Sequence, residues 1–240
     1  DLEPIFQKCK INGCIAVQAD QSLKETEFLL GLADETSFIK GVVGWVDLQS
    51  YAVSGQLEKY CQNNHFKGVR HIVQSEPSGF LLNDYFQKGI SYLTEYNLSF
   101  DLLIFPNQLE EAIEFVSINK DLPIILDHLA KPYIKAGKIE NWARGINKLA
   151  NRENVFCKMS GMVTEAKWGE WKKEDFTPYL EIVLEEFGAE RLMFGSDWPV
   201  CLLSGDYDEV LKIVLDFIGQ LSRNEQTMIM GMNAEKIYNL

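Results

Sequence analysis

RLMFGSDWPVC, residues 191–201, sets an apolar run, Leu192 to Phe194, ahead of Gly195-Ser196 and then a single carboxylate, Asp197, before Trp198-Pro199. A short run of this kind reads as a parallel strand buried on both faces, which needs no polar alternation. Such a strand delivers its acid to the C-terminal end, where the ligands of α/β barrels sit. A second run, PIILDHLAKP, residues 123–132, presents Asp127 and His128 in the same way. Two strands with chemistry at their ends predict a hydrolytic site.

Outward from these two, strand-like runs recur at Gly13–Asp20, Ile39–Leu48, Phe66–Val73, Ser99–Phe105, Asn154–Gly161, Pro123–Ala130 and Arg191–Pro199, each rich in Val, Ile, Phe or Leu. Helical patterns fill the gaps. Ser22 with Glu25 reads as a capping box, and Asn107 with Glu110 and Ser222 with Glu225 read as further helix starts. Thr177-Pro178 reads as N-cap and first helical position, and Gly188 as the stop. Ile139, Trp142, Ile146 and Leu149 form one apolar stripe, and Leu211, Val214, Ile218 and Leu221 another.

Strand alternating with helix at this spacing means repeated βαβ units and a parallel sheet. Neither GxGxxG nor GxxxxGK[ST] is present, so nothing favours a dinucleotide or phosphate-loop fold. The expectation is an α/β fold, a (β/α)8 TIM barrel forming one domain over residues 1–240, with seven of eight βα units visible. Asp1-Leu2-Glu3-Pro4 reads as a helix opening, so the first strand is expected upstream of residue 1.

The chain has 240 residues, and its 23 Lys and Arg against 35 Asp and Glu leave a net charge of −12. That balance offers no basic stripe for nucleic acid and disfavours an anionic membrane surface. No apolar stretch approaches the ~18 residues of a membrane span. The five cysteines are odd in number and contain no CxxC, which predicts reduced thiols in a cytoplasmic protein. No signal peptide is read at the start. The expected partner is a small molecule, with homo-oligomerisation compatible with the sequence.

Strand alternation sorts the candidate site residues. Ile124, Leu126 and His128 share one face, Ile125 and Asp127 the other, and Met193, Gly195 and Asp197 share a face of the last strand. If the His128 and Asp197 faces line the interior, those two converge and Asp127 points outward. Asp197 then suits a general base or metal ligand, and His128 a ligand or substrate contact. Arg70 offers a bidentate fork for a carboxylate or hydroxyls, or a structural ion pair. His71 falls on the opposite face from Arg70, and His65 at the opposite mouth. Lys158 is expected to pair with an interior acid. With only three histidines, His128 and Asp197 are an incomplete metal set. The absence of GxSxG and of a Cys–His pair leaves a protein nucleophile unsupported.

GCIAVQAD, FKGVRHIVQSEP, FDLLIFPNQLEEA, PIILDHLAKP, NVFCKMSGMVTEA and RLMFGSDWPVCLL occur in this order and span essentially the whole chain. Together they resemble the amidohydrolase-related branch that includes L-fucono- and L-rhamnono-lactonases and 2-pyrone-4,6-dicarboxylate lactonase. The resemblance implies a TIM barrel that hydrolyses a sugar-derived or related lactone by direct attack of water. It assigns catalysis to Asp197, as base, and His128. It makes the same two residues ligands of a divalent metal, zinc foremost, although some members work without metal. The family's His-x-His pair has no counterpart here and is expected with the upstream strand. Arg70, Gln18 and Trp198 are the implied substrate contacts, Trp198 as a flat apolar face for a sugar ring. The alternatives are a non-oxidative decarboxylase or hydratase of the same superfamily, which would release carbon dioxide and leave lactones untouched, and a degenerate, non-catalytic barrel.

Overall fold

The computed structural model describes residues 2–240. Seven parallel strands form one curled sheet in sequence order: β1 (Cys14–Val17), β2 (Ile39–Gly44), β3 (Phe66–Ile72), β4 (Ser99–Leu103), β5 (Ile124–Leu126), β6 (Val155–Met159) and β7 (Leu192–Phe194). β1 and β7 are its edges among the described residues. The eighth strand expected upstream of residue 1 lies outside those residues. The strands are shorter than the apolar runs that foretold them. β5 and β7 pair over three residues each, because the chain leaves the sheet just before Asp127 and Gly195.

The helices are α1 (Glu3–Cys9), α2 (Leu23–Glu35), α3 (Val53–Tyr60), α4 (Asp84–Glu95), α5 (Leu109–Ile118), α6 (Glu140–Ala150), α7 (Met162–Glu165), α8 (Thr177–Phe187), α9 (Tyr207–Ile218), α10 (Arg223–Thr227) and α11 (Asn233–Ile237). None is long and apolar enough to cross a membrane. Ser22 caps α2 by accepting from the Glu25 amide, and Ser222 caps α10 in a full capping box. Gly188 ends α8 at φ 67°.

Two predicted starts are displaced. Thr177 is itself the first helical residue, with Phe176 at the N-cap position. Before α5 the chain forms a short 3-10 turn at Pro106–Gln108, and Gln108 rather than Asn107 supplies the side-chain acceptor, to the Phe105 amide. Proline fixes that turn because its φ is preset and it has no amide to leave unpaired.

Between sheet and helices lies the main apolar core, including Val42, Val69, Leu102, Ile124, Phe115, Trp142, Ile146, Leu149, Val183 and Val214. Burying a side chain of this size contributes about 1.5–3 kcal/mol relative to leaving it in water. Inside the curl a second cluster, Val43, Ile125, Phe156, Met193 and Tyr238, fills the axis, with Ile15 and Val17 packed beside it. Tyr238 follows α11, and the Asn239 carbonyl accepts from Lys67 Nζ near the start of β3. The C-terminal segment therefore closes the N-terminal mouth of the sheet. At the edges, Phe6 of α1 meets Phe38 edge-on at 5.6 Å and Tyr207 at 6.1 Å. Cys14 of β1 and Phe194 of β7 pack on the same cluster, so α1 joins the two edge strands. Only the C-terminal mouth remains for a site.

Candidate active site

The register fixes which side chains enter the curl. Arg70 pairs with Asp101, Asp101 with Ile125, and Ile125 with Phe156. Since Ile125 and Phe156 belong to the axial cluster, Arg70, Asp101, Asp127 and Lys158 point inward with them. This corrects the expectation that Asp127 faces the helices. The interior face of β5 is the Ile125–Asp127 face, and strand alternation predicted the opposite one. Asp127 is fully buried. Its Oδ2 accepts from Arg70 Nη1 at 3.0 Å, and its Oδ1 lies 2.8 Å from Lys158 Nζ.

Lys158 also pairs with Asp101, the interior acid expected for it, and Tyr238 donates its hydroxyl to Asp101 at 2.9 Å. Burial pushes the Asp101 carboxyl up to about 6 against the pull of Lys158. For Asp127, burial is outweighed by Lys158, His128 and Arg70, which hold it well below the usual carboxylate range. Burial would lower Lys158, but Asp101 and Asp127 carry its ammonium well above the usual lysine range. That removes it as a free amine nucleophile.

His128 reaches the interior by a different route. After Leu126 the chain enters a left-handed turn in which His128, Leu129, Ala130 and Lys131 all have positive φ, between 47° and 56°. Such a conformation costs an L-residue roughly 1–2 kcal/mol, so neighbours must hold it. Trp142 Nε1 donates to the Leu129 carbonyl at 2.6 Å, Lys131 pairs with Glu165 at 3.1 Å, and the His128 carbonyl accepts from the Lys131 amide. The turn cancels strand alternation, so Asp127 and His128, adjacent in sequence, both face the interior of the curl.

Asp197, at φ 55° just beyond β7, faces His128: Nε2 to Oδ1 is 3.6 Å. Both side chains are about nine-tenths buried. Asp197 Oδ2 is buried without a hydrogen-bond partner. On its other side the imidazole meets the Ser160 hydroxyl, Nδ1 to Oγ 2.8 Å. Burial holds His128 below the ordinary histidine value, although Asp197 and Asp127 pull the other way. Burial thus favours the neutral ring, the form that can bind a metal.

The other predicted contacts divide. Gln18 and Arg70 come together at the ends of β1 and β3. Gln18 Nε2 donates to the Arg70 carbonyl at 3.1 Å, and Arg70 Nη2 donates to the Gln18 carbonyl. Gln18 Oε1 and Arg70 Nε are left buried and unpartnered. Arg70 is thus an ion-pair residue with one nitrogen, Nε, left without a partner. Trp198 packs, half-buried, on the cluster around Phe6, Tyr207 and Leu211. His71 faces away from Arg70, stacked on Phe80 at 4.8 Å with Glu76 2.8 Å from its Nε2. His65 precedes β3 and lies 3.9 Å from Asp34, apart from the mouth.

The donor chemistry fits half of a divalent-cation site. Two ligands at 2.0–2.2 Å from a tetrahedral ion stand about 3.4 Å apart, close to the observed His128–Asp197 spacing, and an unpartnered carboxylate oxygen is a ready further donor. No cluster of three or more His, Cys, Asp or Glu suited to a metal occurs among the described residues. Sequence reasoning placed Ser160 at a strand end without giving it a role, and passed over Asp101 and Tyr238. A lone acid within FDLLIF was a usable signal for Asp101. The contact from Tyr238 to Asp101 crosses 137 residues and left none.

A family model for amidohydrolases matches residues 15–240, and the chain belongs to that family. It is 33% identical to an L-fucono-1,5-lactonase of Burkholderia multivorans, over 100% of this chain and 84% of the relative. It is 34% identical to an L-fucono-1,5-lactonase of Burkholderia ambifaria, over 87% of this chain and 72% of the relative. A crystal structure of an amidohydrolase from Burkholderia multivorans with bound zinc superimposes with a TM-score of 0.97 at 34% identity, covering 100% of this chain and 87% of that one.

Proposed function

We propose that this protein is a lactonase that opens a sugar-derived lactone by adding water to the ester carbonyl. The observation that carries the reading is the meeting of His128 Nε2 and Asp197 Oδ1, 3.6 Å apart at the C-terminal mouth, with Asp197 Oδ2 buried and unpartnered. Its similarity to two L-fucono-1,5-lactonases supports the substrate class.

Asp197 accepts the proton of the attacking water through its free oxygen. A carboxylate placed within hydrogen-bond reach of water is suited to this step. The neutral His128 ring bounds the other side of the space the water occupies. His128 and Asp197 would hold a divalent cation, zinc by the donor set, and the two histidines that the resemblance adds have no counterpart among His65, His71 and His128. Bound there, such a cation lowers the pKa of water and polarises a carbonyl.

Arg70 Nε and Gln18 Oε1 are a donor and an acceptor without partners at one rim of the mouth. A buried polar atom left unpaired costs about 1–3 kcal/mol, which a hydroxylated substrate recovers by bonding to both. Trp198 adds an apolar surface beside Asp197.

The test is acid release from fucono-, rhamnono-, galactono- and arabinono-lactones and from 2-pyrone-4,6-dicarboxylate, with zinc or manganese present. Hydrolysis of one or more aldonolactones is expected. Folded protein that leaves every lactone intact would refute the reading, and release of carbon dioxide from an aromatic carboxylate would replace it.

A further inference from the structure

We infer that Trp45 is a specificity-determining residue that donates its indole N–H to a ring hydroxyl of the lactone, at a subsite it shares with Gln18 and Arg70. The inference rests on the reading of the mouth as a lactone site and names the part of it that recognises the sugar.

Alternation along β2 sets the direction of the side chain. Val43 belongs to the axial cluster, whereas Val42 and Val46 belong to the core between sheet and helices. Trp45, two residues after Val43 and just beyond the last strand residue Gly44, therefore faces the interior. It is only partly buried, and among the described residues it packs against none of the buried apolar clusters. Gly44 pairs with Val69, so Trp45 stands level with Arg70, on the strand between β1 and β3. Gln18 and Arg70 bond to each other across the end of that strand.

The backbone is pinned from the helix side. Thr26 Oγ1 donates to the Trp45 carbonyl and accepts from its amide, both at 2.8 Å. A Cβ on Gly44 would fall 2.7 Å from Thr26 Cγ2, so this clamp requires the glycine. The indole is thus held toward the mouth before any substrate arrives.

The indole nitrogens separate the tryptophans. Trp142, Trp168 and Trp171 donate to the carbonyls of Leu129, Thr164 and Ser204. Trp45 Nε1 is buried and has no acceptor among the described residues. An indole N–H can only donate, and a buried one usually finds a partner. Gln18 Oε1 and Arg70 Nε are unpartnered on the two flanking strands. Two donors and one acceptor, at the ends of three adjacent strands, match the hydroxyls of a polyhydroxylated ring. One hydroxyl accepts from Arg70 Nε and donates to Gln18 Oε1, and another accepts from Trp45. Arg70 also holds Asp127, the residue before His128, so the subsite adjoins the pair assigned to the chemistry.

The test compares wild type and Trp45→Phe on the best-cleaved aldonolactone and on each of its ring monodeoxy analogues. Phe keeps an aromatic face and removes the N–H. On the parent lactone kcat/KM should fall about 10–100-fold in the variant, the scale of a buried hydroxyl left unpaired. One monodeoxy analogue should be cleaved equally by both proteins, which a packing defect would not produce. A second measurement needs no Trp45 variant. In 15N-indole spectra of Asp197→Asn, which leaves bound lactone uncleaved, the Trp45 signal should move downfield as fucono-, rhamnono-, galactono- or arabinono-lactone is added. Single Trp→Phe changes at the other tryptophans identify that signal.

An unchanged kcat/KM in folded Trp45→Phe would overturn the inference. So would an equal loss on the parent and on every analogue, or an indole signal that none of the four lactones moves. If the indole signal moves while the wild type hydrolyses no lactone, the subsite stands, and the lactonase reading is what fails.

Discussion

Deep in the curl, Lys158 lies between Asp101 and Asp127, Arg70 takes the far side of Asp127, and Tyr238 completes Asp101. One turn of chain higher, at the mouth, Asp197 keeps a buried oxygen without a partner, and His128 stops 3.6 Å short of it. Both regions place charge in a sheltered interior, where an unpaired ion is costly. The deep set of two acids and two bases is internally neutral and nearly closed, which is the pattern of a structural network. The mouth leaves Asp197 Oδ2, Arg70 Nε and Gln18 Oε1 open, which is the pattern of groups waiting for a substrate. Arg70 stands at the boundary, with Nη1 committed to Asp127 below, Nη2 to the Gln18 carbonyl and Nε left over.

The contrast breaks most visibly at Lys158. Lys158→Met leaves Asp101 and Asp127 facing each other without their shared cation, and removal of one partner from a buried ion network costs about 3–5 kcal/mol. A urea unfolding midpoint well below that of the wild type is expected, and an unchanged midpoint would show that the network contributes no stability. Adding Asp101→Asn to that variant should recover part of the loss, because one uncompensated charge is removed.

Trp142→Phe is a milder cut. It deletes the hydrogen bond to the Leu129 carbonyl while keeping most of the ring, so a loss of about 1–3 kcal/mol is expected for an acceptor left buried. The effect should also reach function, through the left-handed turn that aims His128. A kcat that falls together with stability supports this, whereas a purely structural loss would leave kcat untouched in the folded fraction.

The smallest effect expected is in pH dependence. Burial lowers the folded-state values of both His71 and His128. The unfolded chain then binds protons first as pH falls through about 6.5, so the stability these residues contribute is present above that pH and is lost below it. The urea midpoint should decline between pH 7.5 and 6, and His71→Gln should flatten the decline.

Much of this arrangement was legible in the sequence. Apolar runs located all seven strands, and Gly188, Ser22 and Ser222 marked helix ends that the structure reproduces. DHLAKP and FGSDWPV located His128 and Asp197, which do meet. The assignment of faces on β5 failed for a local reason. Alternation holds only while the backbone stays extended, and β5 ends at Leu126. Nothing in ordinary propensities announces four consecutive left-handed residues, none of them glycine, because tertiary contacts from Trp142 and Glu165 hold that turn. Asn107 misled similarly, since Pro106 diverted the chain into a 3-10 turn. The Tyr238 contact was invisible because it joins the last residues of the chain to β4.

Asp197→Asn, measured for lactone hydrolysis and for urea unfolding on the same preparation, tests the central claim most directly. Asp197 is held to be a reacting group with a free oxygen rather than a structural carboxylate. The predicted result is a rate lower by about 10²–10⁴, the usual reach of a positioned acid–base group, with an unfolding midpoint equal to the wild type. Full activity in the variant, or loss of the fold in place of the rate, would contradict the account.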